Sequence, residues 1–229
     1  MEKTTSGLQI SCFQLKIIGC ALMAIDHIGY LLFPDIIALR MIGRLAFPIF
    51  AYLIANGYRH SHNLYKYLLM LLIFAAAFQL PYMKIMDTNT LNILFTLALG
   101  LITIYVFDMY QGNGSYLLVV LFALAAEFLN MDYGVYGILM IFTSHLLFNK
   151  YRKLLIAWAL ISLPYITEGI LSFYQNGVWC TAVIQVLALA AIPIIMLYKG
   201  EKGRSFRLGF YLFYPIHIVI LFLFKIFCF

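Results

Sequence analysis

Charged residues are scarce in this chain of 229 residues, and acidic ones are the scarcest. Asp, Glu, Lys and Arg together make up 10% of the sequence, whereas hydrophobic residues make up 65%. Soluble domains contain about 25% charged and about 45–50% apolar residues. So few charges cannot cover a surface that faces water on all sides, which excludes an ordinary soluble domain. The sequence therefore predicts an integral membrane protein.

Cysteine is also rare, and its spacing excludes two kinds of small domain. The four cysteines lie in or at the ends of apolar runs, without the paired spacing of a disulfide framework or a zinc site. They are Cys12, Cys20, Cys180 and Cys228. His60 and His62 have no further ligands nearby in the sequence, so no metal site is expected. The net charge of +6 forms no basic stripe with stacking aromatics, so nucleic acid is not expected as a partner.

Long apolar runs fill nearly the whole chain and predict an all-α transmembrane bundle. A helix needs roughly 17–25 apolar residues to cross a hydrocarbon core about 30 Å thick. By this measure the chain forms one domain, residues 1–229, with about nine crossings surrounded by lipid. They are expected near residues 12–32, 39–57, 63–80, 91–110, 115–129, 133–148, 154–174, 178–198 and 206–227.

The loop charges predict how the bundle is oriented. Basic residues concentrate after the second, sixth and eighth apolar runs, and acidic residues dominate the loops between them. By the positive-inside rule the amino terminus is expected in the cytoplasm. An odd number of crossings then leaves the carboxyl terminus outside.

The first apolar run contains two adjacent ionisable residues, Asp26 and His27. A charged Asp near the centre of a membrane helix costs roughly 2.5 kcal/mol or more, so a purely structural helix has reason to avoid it. Lys16 precedes His27 by eleven residues, which places both on one helix face, roughly 16 Å apart along the axis. They either line a channel, or serve as an interfacial anchor and a helix-packing contact. Asp26 points about 100° away from His27, so it is expected either to orient another group or to reach a different helix.

The second apolar run carries two arginines one turn apart, Arg40 and Arg44, followed by Pro48, which is expected to kink the helix. Arg40 is expected to be an anchor at the outer interface. Arg44 lies deeper and is always charged, so it needs an anionic partner, either Asp26 or a ligand phosphate.

Two further groups are candidates for a site. Arg59 and Lys66 lie in a basic loop on the expected cytoplasmic side, which is typical of membrane topology and also of an anion site. His217 lies about halfway along the last apolar run, just after Pro215. It either satisfies a proline kink or takes part in proton transfer.

Six segments, in order through nearly the whole chain, resemble the TraX family. They are LKIIGCALMAIDHIGYLLFP, LRMIGRLAFPIFAYLIANGYRH, FQLPY, LNILFTLALGL, AEFLNMDYGVYGIL and FYLFYPIHI. TraX proteins look distantly similar to membrane acyltransferases, whose sugar-modifying members carry a basic residue, ten intervening residues and a histidine in the first helix. Lys16 and His27 match that spacing. No counterpart of the second arginine motif of those enzymes is evident here.

The resemblance implies a multi-pass protein of the bacterial inner membrane that transfers an acetyl group from cytoplasmic acetyl-CoA. The acceptor it implies is an amine, as in the N-acetylation of a conjugative pilin, with a hydroxyl as the other acceptor class. His27 is then the central catalytic residue, as a base or as an acetyl carrier. Asp26, or a group on another helix, would fix its tautomer.

The remaining expected roles concern charge and the donor. Arg44 would stabilise the oxyanion of the tetrahedral intermediate, and His217 is the second candidate for proton transfer. The phosphates of coenzyme A are expected on three basic residues, Lys16, Arg59 and Lys66.

Two other classes of function stay open. A proton-coupled transporter of small solutes uses similar buried residues as a proton relay, although the sequence has no inverted repeat and no pair of broken helices. A membrane assembly protein without catalysis would tolerate the loss of His27.

Overall fold

The computed structural model describes residues 9–110, 112–177, 180–204 and 206–228. Within these ranges the regular structure is helical apart from two isolated β-bridges, which confirms the all-α prediction. The helices are α1 (Cys12–Leu31), α2 (Ile37–Gly43), α3 (Ala46–His60), α4 (Leu64–Met86), α5 (Ile93–Met109), α6 (Asn113–Phe128), α7 (Gly134–Leu146), α8 (Tyr151–Ile161), α9 (Leu163–Asn176), a 3-10 helix (Thr181–Ala190), α10 (Ala191–Met196) and α11 (Arg207–Cys228).

Among the residues that the structure describes, four helical segments are long and apolar enough to cross a membrane, and the chain is therefore a helical membrane protein. They are Cys12–Leu31, Ile37–His60, Leu64–Met86 and Leu208–Cys228. The pair α8 and α9, bent by 42° at its break, makes a fifth candidate span if it is counted as one.

The prediction of about nine crossings is not supported in the described part of the chain. Every predicted run does contain a helix, but four of the apolar helices are only 10–17 residues long, and a crossing needs about 20 residues. They are Ile93–Met109, Gly114–Phe128, Gly134–Leu146 and Thr181–Met196. The placement of the two termini on opposite sides was tied to an odd count, and it stays a prediction.

Helix α3 is the centre of the bundle. It packs against α1, α5, α7 and α10, and ten of its residues are buried. A largely apolar helix is accommodated either among other helices or in lipid, and α3 lies mostly among other helices. Helix α1 lies between α3 and α11, so a residue on α1 can meet both the central helix and the last one.

The second predicted crossing is interrupted near its middle. Helix α2 ends at Gly43 and α3 begins at Ala46. Gly43 packs directly on α1, where a Cβ at this position would clash with Cα and Cβ of Asp26. Only glycine allows this approach, and it brings the start of the break, Arg44, close to Asp26.

Two turns at one end of the bundle are hydrogen-bonded to each other. In the α4–α5 turn, the Leu91 N–H donates to the Asn130 carbonyl of the α6–α7 turn at 2.9 Å, and the Asp132 N–H donates back to the Leu91 carbonyl at 2.9 Å. The Thr96 hydroxyl donates to the Asp132 carbonyl as well. The backbone of Asp132 is therefore fixed relative to α5.

Candidate functional site

A cavity of about 340 Å³ lies among α1, α2, α3, α4, α5 and α11, next to the two joined turns. Most of its wall is apolar or aromatic. The charged residues and histidine in the wall are Asp26, His27, Arg40, Arg44 and Asp132. A mostly apolar cavity with a few convergent polar groups is the usual form of a small-molecule site.

The carboxylate of Asp26 binds two arginines. Arg44 Nη2 donates to both carboxylate oxygens, at 2.7 and 2.8 Å, and Arg40 Nη1 donates to the carboxylate and to the Asp26 carbonyl. The ion pair with Arg44 confirms one of the two partners that the sequence allowed. Arg40 is not a separate anchor as expected. It lies one helical turn before Arg44, so both guanidinium groups reach the same side of α1.

The ring of His27 is oriented by a residue from the far end of the sequence. His27 Nδ1 lies 2.7 Å from Nε2 of His217, and His217 Nδ1 lies 2.6 Å from the Phe213 carbonyl oxygen. Of the two orienting groups open to His27, Asp26 or a group on another helix, the structure provides the second.

When both rings are neutral, the Phe213 carbonyl determines which tautomer each histidine adopts. A carbonyl oxygen only accepts, so His217 Nδ1 carries the hydrogen and its Nε2 keeps a lone pair. That lone pair accepts the hydrogen on His27 Nδ1. The remaining nitrogen of His27, Nε2, is left with an unshared lone pair on a residue that lines the cavity.

Arg44 has a further partner that the sequence reasoning missed. Its Nη1 donates to Gln185 Oε1 at 3.2 Å, and Gln185 Nε2 donates to the Tyr136 hydroxyl at 3.3 Å. Gln185 is buried in the 3-10 helix. A glutamine that interrupts the apolar run VIQVLALAAIPIIM was the available signal.

Asp132 and Tyr133 form the part of the cavity wall that belongs to the α6–α7 turn. Tyr133 has a left-handed backbone (φ 64°), and its ring stacks on Phe47 with centroids 4.0 Å apart. Burial raises the pKa of Asp132 to about 6, against the opposing effect of Arg44. Neither residue was among the site residues expected from the sequence.

The three residues expected to hold coenzyme A lie apart from one another. The Lys16 ammonium is 5.3 Å from the ring centroid of Phe210, which lines the cavity, so Lys16 lies just behind the wall. Arg59 donates to the His145 carbonyl at 2.8 Å. Lys66 is exposed in the first turn of α4. Neither Arg59 nor Lys66 belongs to the described cavity wall.

A partly buried histidine pair and an arginine–aspartate cluster beside one cavity define the class: a helical membrane protein with a polar site inside an apolar bundle. The profile of the TraX protein family matches residues 11–225, and the chain belongs to that family.

Two relatives are similar to this chain. It is 30% identical to the "Probable fimbrial assembly protein FimC, serogroup H1" of Dichelobacter nodosus, over 94% of this chain and 96% of that protein. It is 36% identical to an uncharacterized protein of Rickettsia prowazekii (strain Madrid E), over 41% of this chain and 36% of that protein. No solved structure matches it.

Proposed function

We propose that this protein is a membrane acetyltransferase that moves an acetyl group from cytoplasmic acetyl-CoA to an amine on a pilin-type acceptor. The observation that carries the proposal is the histidine pair. His217 is hydrogen-bonded to Nδ1 of His27. Nε2 of His27 therefore has a free lone pair, and His27 lines the cavity. A base oriented by a second group is the arrangement that acyl transfer requires.

The His27 ring nitrogen would act on the attacking group. As the acceptor nitrogen forms a bond to the thioester carbonyl carbon, His27 Nε2 takes the proton that this nitrogen loses. When the carbon–sulfur bond breaks, the same proton passes to the leaving thiolate, which departs as coenzyme A. Transfer through an acetylated His27 uses the same lone pair, with the ring as the first nucleophile.

The arginine cluster supplies the charge that acyl transfer needs. Two guanidinium groups face one carboxylate, so Arg40, Arg44 and Asp26 together carry one net positive charge next to His27. A fixed positive charge in a site shielded from water stabilises the oxyanion of the tetrahedral intermediate, and such electrostatic terms are often worth about 3–4 kcal/mol.

The donor would approach from the Lys16 end of α1. Lys16 would attract a coenzyme A phosphate, while the slim arm passes Phe210 and Cys20 to reach His27, roughly 16 Å further along the helix. Arg59 and Lys66 would act only as a diffuse positive field, because they lie outside the described wall. The positive-inside orientation supports a cytoplasmic donor and the bacterial inner membrane as location.

The acceptor class rests on the family and on one relative. The Dichelobacter nodosus relative is named as a fimbrial assembly protein, and the resemblance to TraX implies the N-acetylation of a pilin. Both support a small membrane-associated protein with a free amino terminus as the acceptor.

The test is turnover of radiolabelled acetyl-CoA by purified protein in lipid nanodiscs, supplied with membrane extract as the source of acceptor. The wild-type protein should transfer label, His27→Gln should not, and the matched variant His62→Gln, which changes an exposed histidine, should transfer normally. Equal transfer by His27→Gln and the wild-type protein would refute the mechanism.

Coenzyme A binding and a cellular assay together separate the three classes of function. Coenzyme A should protect the wild-type protein and His27→Gln equally from thermal unfolding if the protein is a transferase. A transporter of unrelated solutes should gain no protection from coenzyme A. An assembly protein without catalysis should support its cellular role equally well with His27→Gln.

A further inference from the structure

We infer that the Asp132 carboxylate binds the ammonium group of the acceptor at the rim of the cavity and accepts one of its protons. The rim is the part of the wall formed by Thr88, Thr90 and Asp132 in the two joined turns. This inference rests on the proposed transferase function. It deepens that function by assigning the acceptor as a primary amine rather than a hydroxyl.

The two carboxylates of the cavity wall differ in their ion pairing. Asp26 is neutralised by Arg40 and Arg44. Among the residues that the structure describes, Asp132 forms no ion pair, and the backbone N–H of Tyr133 donates to its carboxylate. One negative charge in the wall is therefore free to meet a cation from outside the chain.

An Asp132 carboxylate without a counter-ion costs free energy in the protein without a bound ligand. Removing a carboxylate from water without a counter-ion disfavours its charged form, and burial accordingly raises the pKa of Asp132 to about 6. A bound ammonium would offset this cost. The charged or titratable groups that act on Asp132 from the surrounding elements are Asp26 of α1, Arg40 of α2, Arg44 at the α2–α3 break, Tyr82 of α4, Tyr133 of its own turn and Tyr214 of α11.

The backbone holds the carboxylate in place before any ligand arrives. The Asp132 N–H is bonded to Leu91, its carbonyl accepts from Thr96, and the next residue, Tyr133, stacks on Phe47. A binding group with its backbone fixed on both sides loses little freedom when it binds a ligand.

The proton balance of amide formation calls for a second proton acceptor. An acceptor amine arrives mostly as an ammonium, with three protons on nitrogen, and the amide product retains one. His27 accepts one proton and returns it to the thiolate. The other must leave before attack, and Asp132 accepts it and releases it to water at the rim. A hydroxyl acceptor brings a single proton, so it would need His27 alone.

The experiment compares Asp132→Asn with Asp87→Asn. Asparagine at position 132 keeps an oxygen for the Tyr133 N–H and removes only the charge. Asp87 is an exposed residue in the α4–α5 turn with a left-handed backbone that asparagine tolerates, and it lies outside the described cavity wall. The probes are an apolar peptide with a free amino terminus and the same peptide with an α-hydroxyl in place of the amine.

Binding and transfer are measured separately in nanodiscs. The wild-type protein and Asp87→Asn should bind the amino peptide more tightly than the hydroxyl peptide, and Asp132→Asn should lose this preference. At pH 7 Asp132→Asn should acetylate the amino peptide about tenfold more slowly, because only about one in ten α-amino groups is unprotonated there. The deficit should disappear at pH 9, where the free amine predominates.

The outcomes distinguish the role of Asp132 from the proposed transferase function on which it rests. Normal transfer and an unchanged amine preference in Asp132→Asn would overturn the role of Asp132 and leave the transferase function standing. A lost preference in binding, with no transfer by any protein, would support ammonium recognition and overturn the transferase function. A pH-independent loss of transfer would overturn the proton-accepting role.

Discussion

Two clusters of histidine, arginine and aspartate lie in different parts of this bundle and are built differently. The cavity cluster consists of Asp26, His27, Arg40, Arg44 and His217. The helix-end cluster consists of Arg59, Asp108 and His145, near the carboxyl ends of α3, α5 and α7. The residue types are the same. Among the described residues, however, only the cavity cluster contributes side chains to the cavity wall.

The helix-end cluster has an explanation from helix geometry alone. The last four carbonyls of a helix have no partner within it, and Arg59 of α3 donates to one of them, the His145 carbonyl of α7, at 2.8 Å. His145 Nε2 lies 3.0 Å from the Asp108 carboxylate of α5. These contacts join three helix ends, and His145 is not among the residues that line the described cavity. The two clusters share residue types and differ in whether they line the described cavity. Access to that cavity, and not residue type, is therefore the reason for proposing the cavity cluster as the reactive one.

The largest expected difference between the clusters is in activity. His27→Gln should lower acetyl transfer by at least about 100-fold, because a positioned base contributes about 10²–10⁴-fold to such reactions. His145→Gln should leave transfer unchanged, since His145 is outside the described cavity wall. Radiolabel turnover by the two purified variants measures both effects. Similar losses in the two would remove the distinction between the clusters.

The second difference is in stability, and it compares the two aspartates. Asp26→Asn removes the charge that holds two partly buried guanidinium groups, and it should lower the free energy of unfolding by about 3–5 kcal/mol. Asp108→Asn changes a side chain that is 39% exposed, so it should cost about 1 kcal/mol or less. Thermal and denaturant unfolding in detergent compare the two variants. A larger loss in Asp108→Asn would contradict this ranking.

The sequence predicted the local part of the cavity cluster and missed the contacts between distant elements. Helical spacing placed Lys16 and His27 on one face, and the need for a counter-ion indicated Asp26 for Arg44. The helices also lie in the predicted order. Apolar runs identify helices, but they do not show whether a helix of 13 residues crosses a membrane, which explains why the predicted number of crossings exceeds the number of long apolar helices in the described part of the chain.

The missed contacts depend on packing. Pro48 indicated a kink in the second run, whereas the helix is interrupted at Arg44 and Leu45, where Gly43 meets Asp26. The contact of His27 with His217 joins residues 190 positions apart. No periodicity within one segment contains that information, because it depends on α1 and α11 becoming neighbours.

The third expected effect is smaller and tests the close packing beneath the cavity cluster. Gly43→Ala would force a Cβ against Asp26, and it should destabilise the protein by about 1–3 kcal/mol as the two helices move apart. Gly114→Ala is the matched control in α6, where a Cβ meets nothing within 4 Å. It should stabilise slightly, since alanine favours a helix. Denaturant unfolding of both variants gives the comparison, and equal effects would exclude a special role for Gly43.

The smallest expected effect is a pH-dependent difference in stability between the wild-type protein and Asp132→Asn. A carboxyl group whose pKa is raised on folding, here to about 6, contributes stability at low pH and loses it as the pH rises through the folded value. The melting temperature of the wild-type protein, relative to the variant, should therefore fall between pH 4 and pH 7. A constant difference across that range would show that Asp132 is not desolvated.

The contact between His27 and His217 has a consequence for biogenesis. Helix α1 leaves the ribosome early, but its His27 ring has no orienting partner until α11 has been synthesised, inserted into the lipid and packed beside it. Contacts between such distant residues form late, because the loop that they close is long. Under the proposed function, a chain that is still being translated therefore lacks its oriented base, and cytoplasmic acetyl-CoA would not react with a half-inserted protein.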